Sequence, residues 1–231
     1  MMRILFVGAT SFELYQFLEN LKEVPGNKGP VFHYTWHNIS IDLVITGLGT
    51  TFTTYYLTKA LGLFKYDLVV NAGIAGSFRD EISIGTVVNV RSEQFSDFGI
   101  EEANQIKTVF EAGFLNPNDF PFQGGRLINP HHFPDFYLPF VNGITGNISH
   151  GSAESISRII KNFNPDIESM EGAAVFYVCL VEKIPFVEIR AISNYVDIRN
   201  VDKWDIPTAI ENLTDELFKF LRIFGSVRQV S

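Results

Sequence analysis

The chain has 231 residues, of which 46% are hydrophobic, with one cysteine and a formal net charge of −8, and this is enough for a single packed domain that does not depend on disulfides. The excess of acidic residues disfavours a nucleic-acid partner, because it repels phosphate backbones. No stretch resembles a signal peptide or reaches the ~20 apolar residues of a membrane helix, so the sequence predicts a cytoplasmic protein with no membrane contact.

Apolar runs of strand length alternate along the chain with longer helical patterns. The first predicted elements are strand Arg3–Val7, helix Phe12–Leu21, a hairpin of Val31–Trp36 and Ile39–Thr46, helix Thr51–Leu63, and strands Leu68–Asn71 and Thr86–Val90. The later ones are helices Ser152–Phe163 and Ala173–Lys183, strand Phe186–Ile192 and helix Asp205–Phe224. The alternation predicts fold class α/β, with a mixed, mostly parallel central sheet flanked by helices.

Residues Phe95–Gly125 show little periodicity and contain several Pro and Gly residues. This pattern predicts a long loop with short structure inside it, which in compact domains is commonly a lid or a binding segment. No repeat or linker interrupts the chain. We therefore predict one domain over residues 1–225 and a C-terminal tail over residues 226–231.

Two glycine-rich segments follow predicted strands, where open α/β sheets place their ligands. They are Gly47-Leu48-Gly49 and Gly73-Ile74-Ala75-Gly76. Neither has the spacing of a dinucleotide fingerprint or the lysine of a phosphate-binding P-loop. Each is predicted to be a turn. The turn either contacts a ligand or only allows a helix to pack on the sheet.

Three polar residues lie close to strand ends. Glu13 follows the first strand, and alone it fits a favourable partner for a helix dipole. Glu171 lies between Met170 and an apolar run, where a carboxylate needs a partner or a chemical role. Asn194 ends the strand Arg190–Ser193, where it fits a loop cap as well as a ligand contact.

Cysteine and histidine chemistry is not expected. Cys179 lies inside the apolar run Ala173–Val181, which favours a buried apolar residue over a nucleophile. His131 and His132 are adjacent, so their side chains diverge, and no cysteine or acidic set completes a metal site. We predict solvated loop histidines, no metal and no cofactor.

Four motifs, in this order along the chain, resemble the nucleoside phosphorylase superfamily. They are Gly8-Ala9 followed by Glu13, Asn71–Gly76, Ser169–Ala174 and Ala191–Asn194. The chain is more narrowly similar to the methylthioadenosine/S-adenosylhomocysteine nucleosidase branch. Within it, Phe98–Ala103, Phe110–Phe114 and Ser193–Asn200 resemble the futalosine hydrolases of menaquinone biosynthesis most.

The resemblance implies an enzyme that hydrolyses the N-glycosidic bond of a purine nucleoside. Glu13 matches the water-activating carboxylate, and Glu171 matches the residue that accepts hydrogen bonds from the ribose hydroxyls. Met170 would pack against the sugar. The segment containing Gly73, Ala75 and Gly76 would contact the substrate, although Ile74 replaces a small polar residue of the family.

Asn194 departs from the adenine-releasing members, which have Asp at this position. An amide does not deliver a proton, but its N–H groups can bind the N7 and O6 acceptors of a 6-oxopurine. Asn194 therefore indicates hypoxanthine as the base, which fits futalosine. The alternatives are a methylthioadenosine/S-adenosylhomocysteine or aminodeoxyfutalosine nucleosidase, and a nucleoside-binding protein on the same fold that has lost catalysis.

A second departure separates hydrolysis from phosphorolysis. Phosphate needs cationic groups, usually Arg, and the first turn has none. Arg79 lies close by in sequence and is a cation that could still hold phosphate. We predict water as the nucleophile. The 22 Phe residues also indicate apolar surface buried between subunits, hence a homo-oligomer, although core packing would account for them too.

Overall fold

The computed structural model describes residues 2–102, 105–131, 133 and 135–227. Its helices are α1 (Ser11–Glu19), α2 (Thr50–Leu63), α3 (Ala153–Phe163), α4 (Gly172–Glu182) and α5 (Ile206–Val227). The strands of the first half are β1 (Met2–Gly8), β2 (Lys22–Lys28), β3 (Val31–Trp36), β4 (Ile39–Ile45), β5 (Leu68–Ser77) and β6 (Val87–Phe95). They are followed by β7 (Gly99–Glu102), β8 (Gln105–Thr108), β9 (Phe122–Gln123), β10 (Arg126–Ile128), β11 (Phe140–Thr145), β12 (Ile167–Ser169) and β13 (Phe186–Tyr195).

The large sheet is mixed, with both parallel and antiparallel pairs in its centre and antiparallel pairs at its edges. Strand β1 pairs in parallel with β4 and β5, and β13 pairs in parallel with β5. The pairs of β2 with β3 and of β3 with β4 are antiparallel. Because β13 pairs with both β5 and β6, the strands β5, β12, β11, β6 and β13 form a closed circuit. The predicted α/β fold class is confirmed.

Helices cover both faces of the sheet, which is why its central strands read as continuous apolar runs. In β1, Leu5 and Val7 belong to one buried cluster, which includes residues of α2 and α4. Ile4 and Phe6 point the other way, into a cluster with residues of α1 and α5. Cys179 is fully buried in the first cluster, and burial raises the pKa of its thiol, as expected for an apolar residue without reactivity.

Residues 72–77 are not the turn that the sequence predicts. They continue β5 without a break, and Gly73 and Gly76 are paired along their length with β13. Glycine at these two positions makes room for side chains that cross the strand, as described below. The other glycine segment is a turn, since Gly47 and Gly49 have φ values of 85° and 90°.

Several strands were not predicted because they lack a clear apolar pattern. β2 is an exposed edge strand that contains Pro25, and β12 is three residues long. β11 was also missed. The predicted loop Phe95–Gly125 does hold short structure, including the hairpin β7–β8, while its residues 103 and 104 lie outside the described ranges.

Two predictions concern residues near the limits of the described ranges. Helix α5 runs through the start of the predicted tail to Val227, and residues 228–231 lie outside the described part. His131 is half-buried, with its ring edge against Phe186, so it is not a solvated loop residue, and burial lowers its pKa. His132 lies outside the described residues. No helix in the described ranges is both long and apolar enough to cross a membrane.

Candidate active site

One cavity of about 290 Å³ brings together nearly all of the predicted site residues, namely Glu13, Ala75, Gly76, Met170, Glu171 and Asn194. Its volume is close to the lower end of the range for small-molecule pockets. It lies where α1 and α4 begin and where β5 and β13 approach their carboxyl ends. This is the edge at which open α/β sheets bind ligands.

Glu13 is held in place by three hydrogen bonds. It is the third residue of α1, and its Oε2 accepts from the backbone N–H and the hydroxyl of Thr10, both at 3.0 Å. The bond from the Thr10 N–H, together with the backbone N–H of Glu13 directed at the Thr10 side chain, forms a capping box. Its Oε1 accepts from the backbone N–H of Ile74 at 3.1 Å. The carboxylate is thereby buried and fixed between the start of α1 and β5.

Glu171 precedes the first residue of α4 and is 5% exposed. Its Oε1 accepts from the backbone N–H of Gly49 at 3.0 Å, and its Oε2 lies 3.9 Å from Nη2 of Arg190. Burial raises the pKa of Glu171, against the opposing effect of Arg190 and of the Gly49 hydrogen bond. The contact across the Gly47–Gly49 turn explains why that turn is part of the site.

Arg190, which was not among the residues predicted from the sequence, is a buried guanidinium between three carboxylates. Its Nε donates to Glu188 at 2.7 Å, while Nη2 has no hydrogen-bond partner among the described residues. Burial lowers the pKa of a guanidinium, but Glu188, Glu171 and Glu13 outweigh it and raise the pKa of Arg190. The sequence did contain a signal for Arg190, because Glu188 and Arg190 lie two residues apart in an apolar strand, where buried opposite charges are expected to pair.

Gly73, which was predicted to contact the substrate, is not among the residues that line the cavity. A Cβ on Gly73 would lie 2.5 Å from Nη1 of Arg190 and 2.7 Å from Oε1 of Glu13. Both groups therefore rest against the bare backbone at this position. Glycine here allows the Arg190 guanidinium and the Glu13 carboxylate to approach the strand closely, so its role is to position these two groups.

Another buried carboxyl group, that of Glu93, lies close to Glu188. Glu93 on β6 is fully buried and accepts a hydrogen bond from the hydroxyl of Thr145 at 2.8 Å. Burial and then the nearby Glu188 raise the pKa of Glu93 well above its usual value. Oxygen atoms of Glu93 and Glu188 lie 2.5 and 2.7 Å from the point where a Cβ on Gly172 would sit. Arg190 therefore lies among Glu188, Glu171 and Glu13, with Glu93 on the far side of Glu188.

Asn194 reaches the cavity because of a bulge in β13. Ile192 is opposite Ala75 and Asn194 is opposite Gly76, so Ser193 is an extra residue in the pairing. Without the bulge the period of two would turn the Asn194 side chain to the other face. Its Nδ2 donates to the carbonyl of Tyr195 at 3.0 Å, which fixes the amide orientation. That bond uses one of the two amide N–H groups.

Several lining residues were not selected from the sequence, among them Ser149, Glu168, Arg199 and Trp204. The guanidinium of Arg199 lies 5.3 Å from the centre of the Trp204 ring. Ser149 lies in the connection after β11, which was not predicted, and Glu168 is on β12. Their place in the site could not be deduced without the sheet order.

Arg79, the cation left open by the sequence, does not line the cavity. Its Nε donates to Asp166 at 3.0 Å, and its Nη2 donates to the side chain of Asn164 at 3.0 Å. Both ends of the guanidinium are therefore engaged elsewhere.

Comparison with known proteins gives concordant results. A family model described as the phosphorylase superfamily matches residues 3–224. A 5'-methylthioadenosine/S-adenosylhomocysteine nucleosidase of Glaesserella parasuis is 25% identical and covers 97% of this chain and 100% of its own. A futalosine hydrolase of Streptomyces coelicolor is 30% identical over 70% of this chain and 68% of its own. Relatives of both substrate classes therefore match, and their names agree with the predicted class of enzyme.

Among solved structures, the fold matches a 5'-methylthioadenosine/S-adenosylhomocysteine nucleosidase from Helicobacter pylori bound to butyl-thio-DADMe-Immucillin-A. The TM-score is 0.81 at 18% sequence identity, and the match covers 96% of this chain and 98% of the other. This likeness extends over the whole sheet and its helices, so it supports the same single-domain fold.

Proposed function

Because the chain belongs to the phosphorylase superfamily, we propose that it is a nucleosidase that hydrolyses futalosine to hypoxanthine and dehypoxanthine futalosine, in menaquinone biosynthesis. The observation that carries the proposal is the meeting of the Glu13 and Glu171 carboxylates with the Asn194 amide in one cavity. These three groups match the three tasks of the reaction, which are activation of water, binding of ribose and stabilisation of the departing base.

Water activation is assigned to Glu13. As the bond from the water oxygen to C1′ forms, Glu13 takes a proton from the water, and the purine leaves with the electrons of the glycosidic bond. A proton from solvent neutralises the departing base. Three hydrogen bonds orient the carboxylate of Glu13, so this group needs little reorganisation in the transition state.

Ribose binding is assigned to Glu171 and Met170. Glu171 keeps acceptor capacity beyond the Gly49 N–H, and Met170 is half-buried at the cavity wall. The cleavage develops positive charge on the ribose. With Glu13, Glu171 and Glu188 around Arg190, negative charge predominates at this end of the cavity, and it stabilises that cation.

Water is preferred to phosphate for the same electrostatic reason. A phosphate nucleophile would enter beside Glu13 and Glu171, and Arg190 is already shared between carboxylates. Arg79 is bound to Asp166 and Asn164, outside the cavity. These contacts support hydrolysis as the reaction.

The runner-up function is a methylthioadenosine/S-adenosylhomocysteine or aminodeoxyfutalosine nucleosidase. The match over the full length of the Glaesserella parasuis relative favours it. Asn194 is the feature against it, because the leaving 6-aminopurine lacks an acid at this position. A binding protein without activity is disfavoured by the fixed, buried Glu13, since binding a nucleoside does not require a base.

A substrate panel tests the proposal. Futalosine, aminodeoxyfutalosine, methylthioadenosine and inosine are each incubated with the protein, with and without phosphate, and the released base is measured by chromatography. We expect futalosine to be cleaved fastest, at a rate independent of phosphate. A sugar 1-phosphate in phosphorus NMR would make it a phosphorylase, faster release of adenine from methylthioadenosine would support the runner-up, and no release would indicate a binding protein.

Substitution of Asn194 by Asp should change the choice of base. A mismatched buried polar contact costs about 1–3 kcal/mol, so the wild type should prefer futalosine over aminodeoxyfutalosine by at least roughly tenfold in kcat/KM. Asn194→Asp should shift this ratio towards the amino substrate, because a carboxyl group can protonate N7 and accept from the 6-amino group. Asn162→Asp, on the exposed face of α3, is the control. An unchanged ratio in Asn194→Asp would remove Asn194 as a reader of the base.

We also propose that the protein forms a homo-oligomer and is located in the cytoplasm. Exposed aromatic and aliphatic side chains close to the site support the homo-oligomer, among them Phe12, Leu48, Phe52 and Tyr55. Light scattering after size-exclusion chromatography measures the mass directly, and the mass of one chain would contradict it.

A further inference from the structure

Glu168 and Asn194 stand on either side of Gly76 at the same level of the sheet. Gly76 of β5 pairs with Glu168 of β12 on one side and with Asn194 of β13 on the other. Directly paired residues point their side chains to the same face of a sheet. A Cβ on Gly76 would lie 3.2 Å from Nδ2 of Asn194 and 3.6 Å from Cγ of Glu168. The bare glycine thus separates an amide and a carboxyl group that both line the cavity.

The Glu168 carboxylate is fixed from one side only. Its Oε1 accepts from the hydroxyl of Ser149 and from the backbone N–H of His150, both at 3.1 Å. Its Oε2 lies 2.7 Å from Nδ1 of His150. A carboxylate offers about four lone-pair positions, so these three contacts leave one, on Oε2. Glu168 is 8% exposed and is one of the residues that line the cavity.

The order of polar groups on a 6-oxopurine suits this pair of side chains. Along that edge N7 and O6 accept hydrogen bonds, and the next atom, N1, carries a hydrogen and donates. An amide N–H from Asn194 matches the acceptors, and a carboxylate oxygen matches the donor. A 6-aminopurine has the reverse order, because its 6-amino group donates and its N1 presents a lone pair, which a carboxylate repels.

We propose that Glu168 is a second specificity-determining residue, which accepts the N1–H of the 6-oxopurine while the remaining N–H of Asn194 donates to the acceptor edge formed by O6 and N7. The inference rests on the proposed function, since it names the group that reads the base in that same cavity. The charged hydrogen bond adds selectivity for the oxo base, and Asn194 supplies the other part. A role limited to the Glu168–His150 contact would anchor the loop at 149–150 and affect every base alike.

Binding of free bases tests the inference without requiring turnover. Calorimetric titration of the whole protein with hypoxanthine, adenine and 1-deazahypoxanthine measures each Kd. The last base has a C–H in place of the N1–H, without added bulk. In the wild type we expect hypoxanthine to bind at least roughly tenfold tighter than either of the others, because a hydrogen bond to a charged group is lost or opposed.

Glu168→Gln should reduce the preference for hypoxanthine over adenine by roughly tenfold or more, because the glutamine amide can donate to N1 of adenine. The penalty for 1-deazahypoxanthine should shrink as well. Glu211→Gln, at an exposed position of α5, is the control and should change no Kd. Thermal unfolding of each variant measures any loss of stability separately.

Three results would overturn the inference. They are equal loss of affinity for all bases in Glu168→Gln, equal binding of hypoxanthine and 1-deazahypoxanthine by the wild type, and no binding of hypoxanthine. The second needs no variant, so it holds even if Glu168→Gln does not fold. A selective change in Kd without any base release in the substrate panel would sustain the role of Glu168 and reject the hydrolase. Base release with unchanged selectivity would do the opposite.

Discussion

Replacing Glu13 by glutamine should lower kcat for futalosine by about 100-fold or more and leave KM within about tenfold of the wild type. Glutamine keeps the shape, and its carbonyl oxygen can still accept from the N–H of Thr10, so the start of α1 should stay folded, while the N–H of Ile74 loses its acceptor. It does not take a proton from water. The measurement is steady-state release of hypoxanthine across a range of substrate concentrations.

The matched control is Glu19→Gln, at the exposed end of the same helix. It removes the same charge from α1 without touching the cavity, and we expect kcat within twofold or so of the wild type. If Glu13→Gln retains full turnover, another group activates the water. Arg190 and the main chain around Ile74 would then need to be reconsidered as the groups that orient it.

Replacing Glu171 by glutamine should reduce kcat/KM by roughly 10- to 150-fold, since a hydrogen bond to a charged acceptor is worth about 1.5–3 kcal/mol. The loss should appear in both KM and kcat, because the ribose is held in the ground state and becomes cationic in the transition state. The comparison of inosine with 2′-deoxyinosine identifies the contact. Removal of the hydroxyl should cost less in Glu171→Gln than in the wild type.

Glu182→Gln is the control for this variant, since Glu182 is exposed at the other end of α4. Equal costs of the deoxy substrate in Glu171→Gln and in the wild type would mean that Glu171 does not contact the 2′-hydroxyl. The same pair of measurements with 3′-deoxyinosine then examines the neighbouring hydroxyl.

The two glutamates are coupled through Arg190, which limits how far their effects add. Arg190 faces both carboxylates and is bound to Glu188. Residues that share a buried charged partner typically show interaction energies of about 0.5–3 kcal/mol. The double variant should therefore differ from the sum of the single variants, and that difference measures the coupling.

Local sequence patterns were sufficient for much of the scaffold. The hairpin of β3 and β4, the helices α2 to α5 and the strand β1 were predicted within a few residues of their observed bounds. These elements carry strong signals: continuous apolar runs where both faces are covered, helical periodicity, and a polar two-residue turn at His37 and Asn38. Short or exposed strands such as β2 and β12 carry no such signal, because their partners and not their own side chains stabilise them.

By itself, the sequence determined the fold class, and the resemblance of its motifs to a known family selected Glu13, Glu171 and Asn194 as site residues, which the structure places in one cavity. Only the tertiary structure decided that Gly73 and Gly76 belong to a strand. The missing side chain of Gly73 leaves space for Arg190, and that of Gly76 leaves space between Glu168 and Asn194. It also decided the bulge at Ser193 that turns Asn194 into the cavity. Such features depend on register between strands distant in sequence, and strand register is set by packing across the sheet, which no local pattern contains.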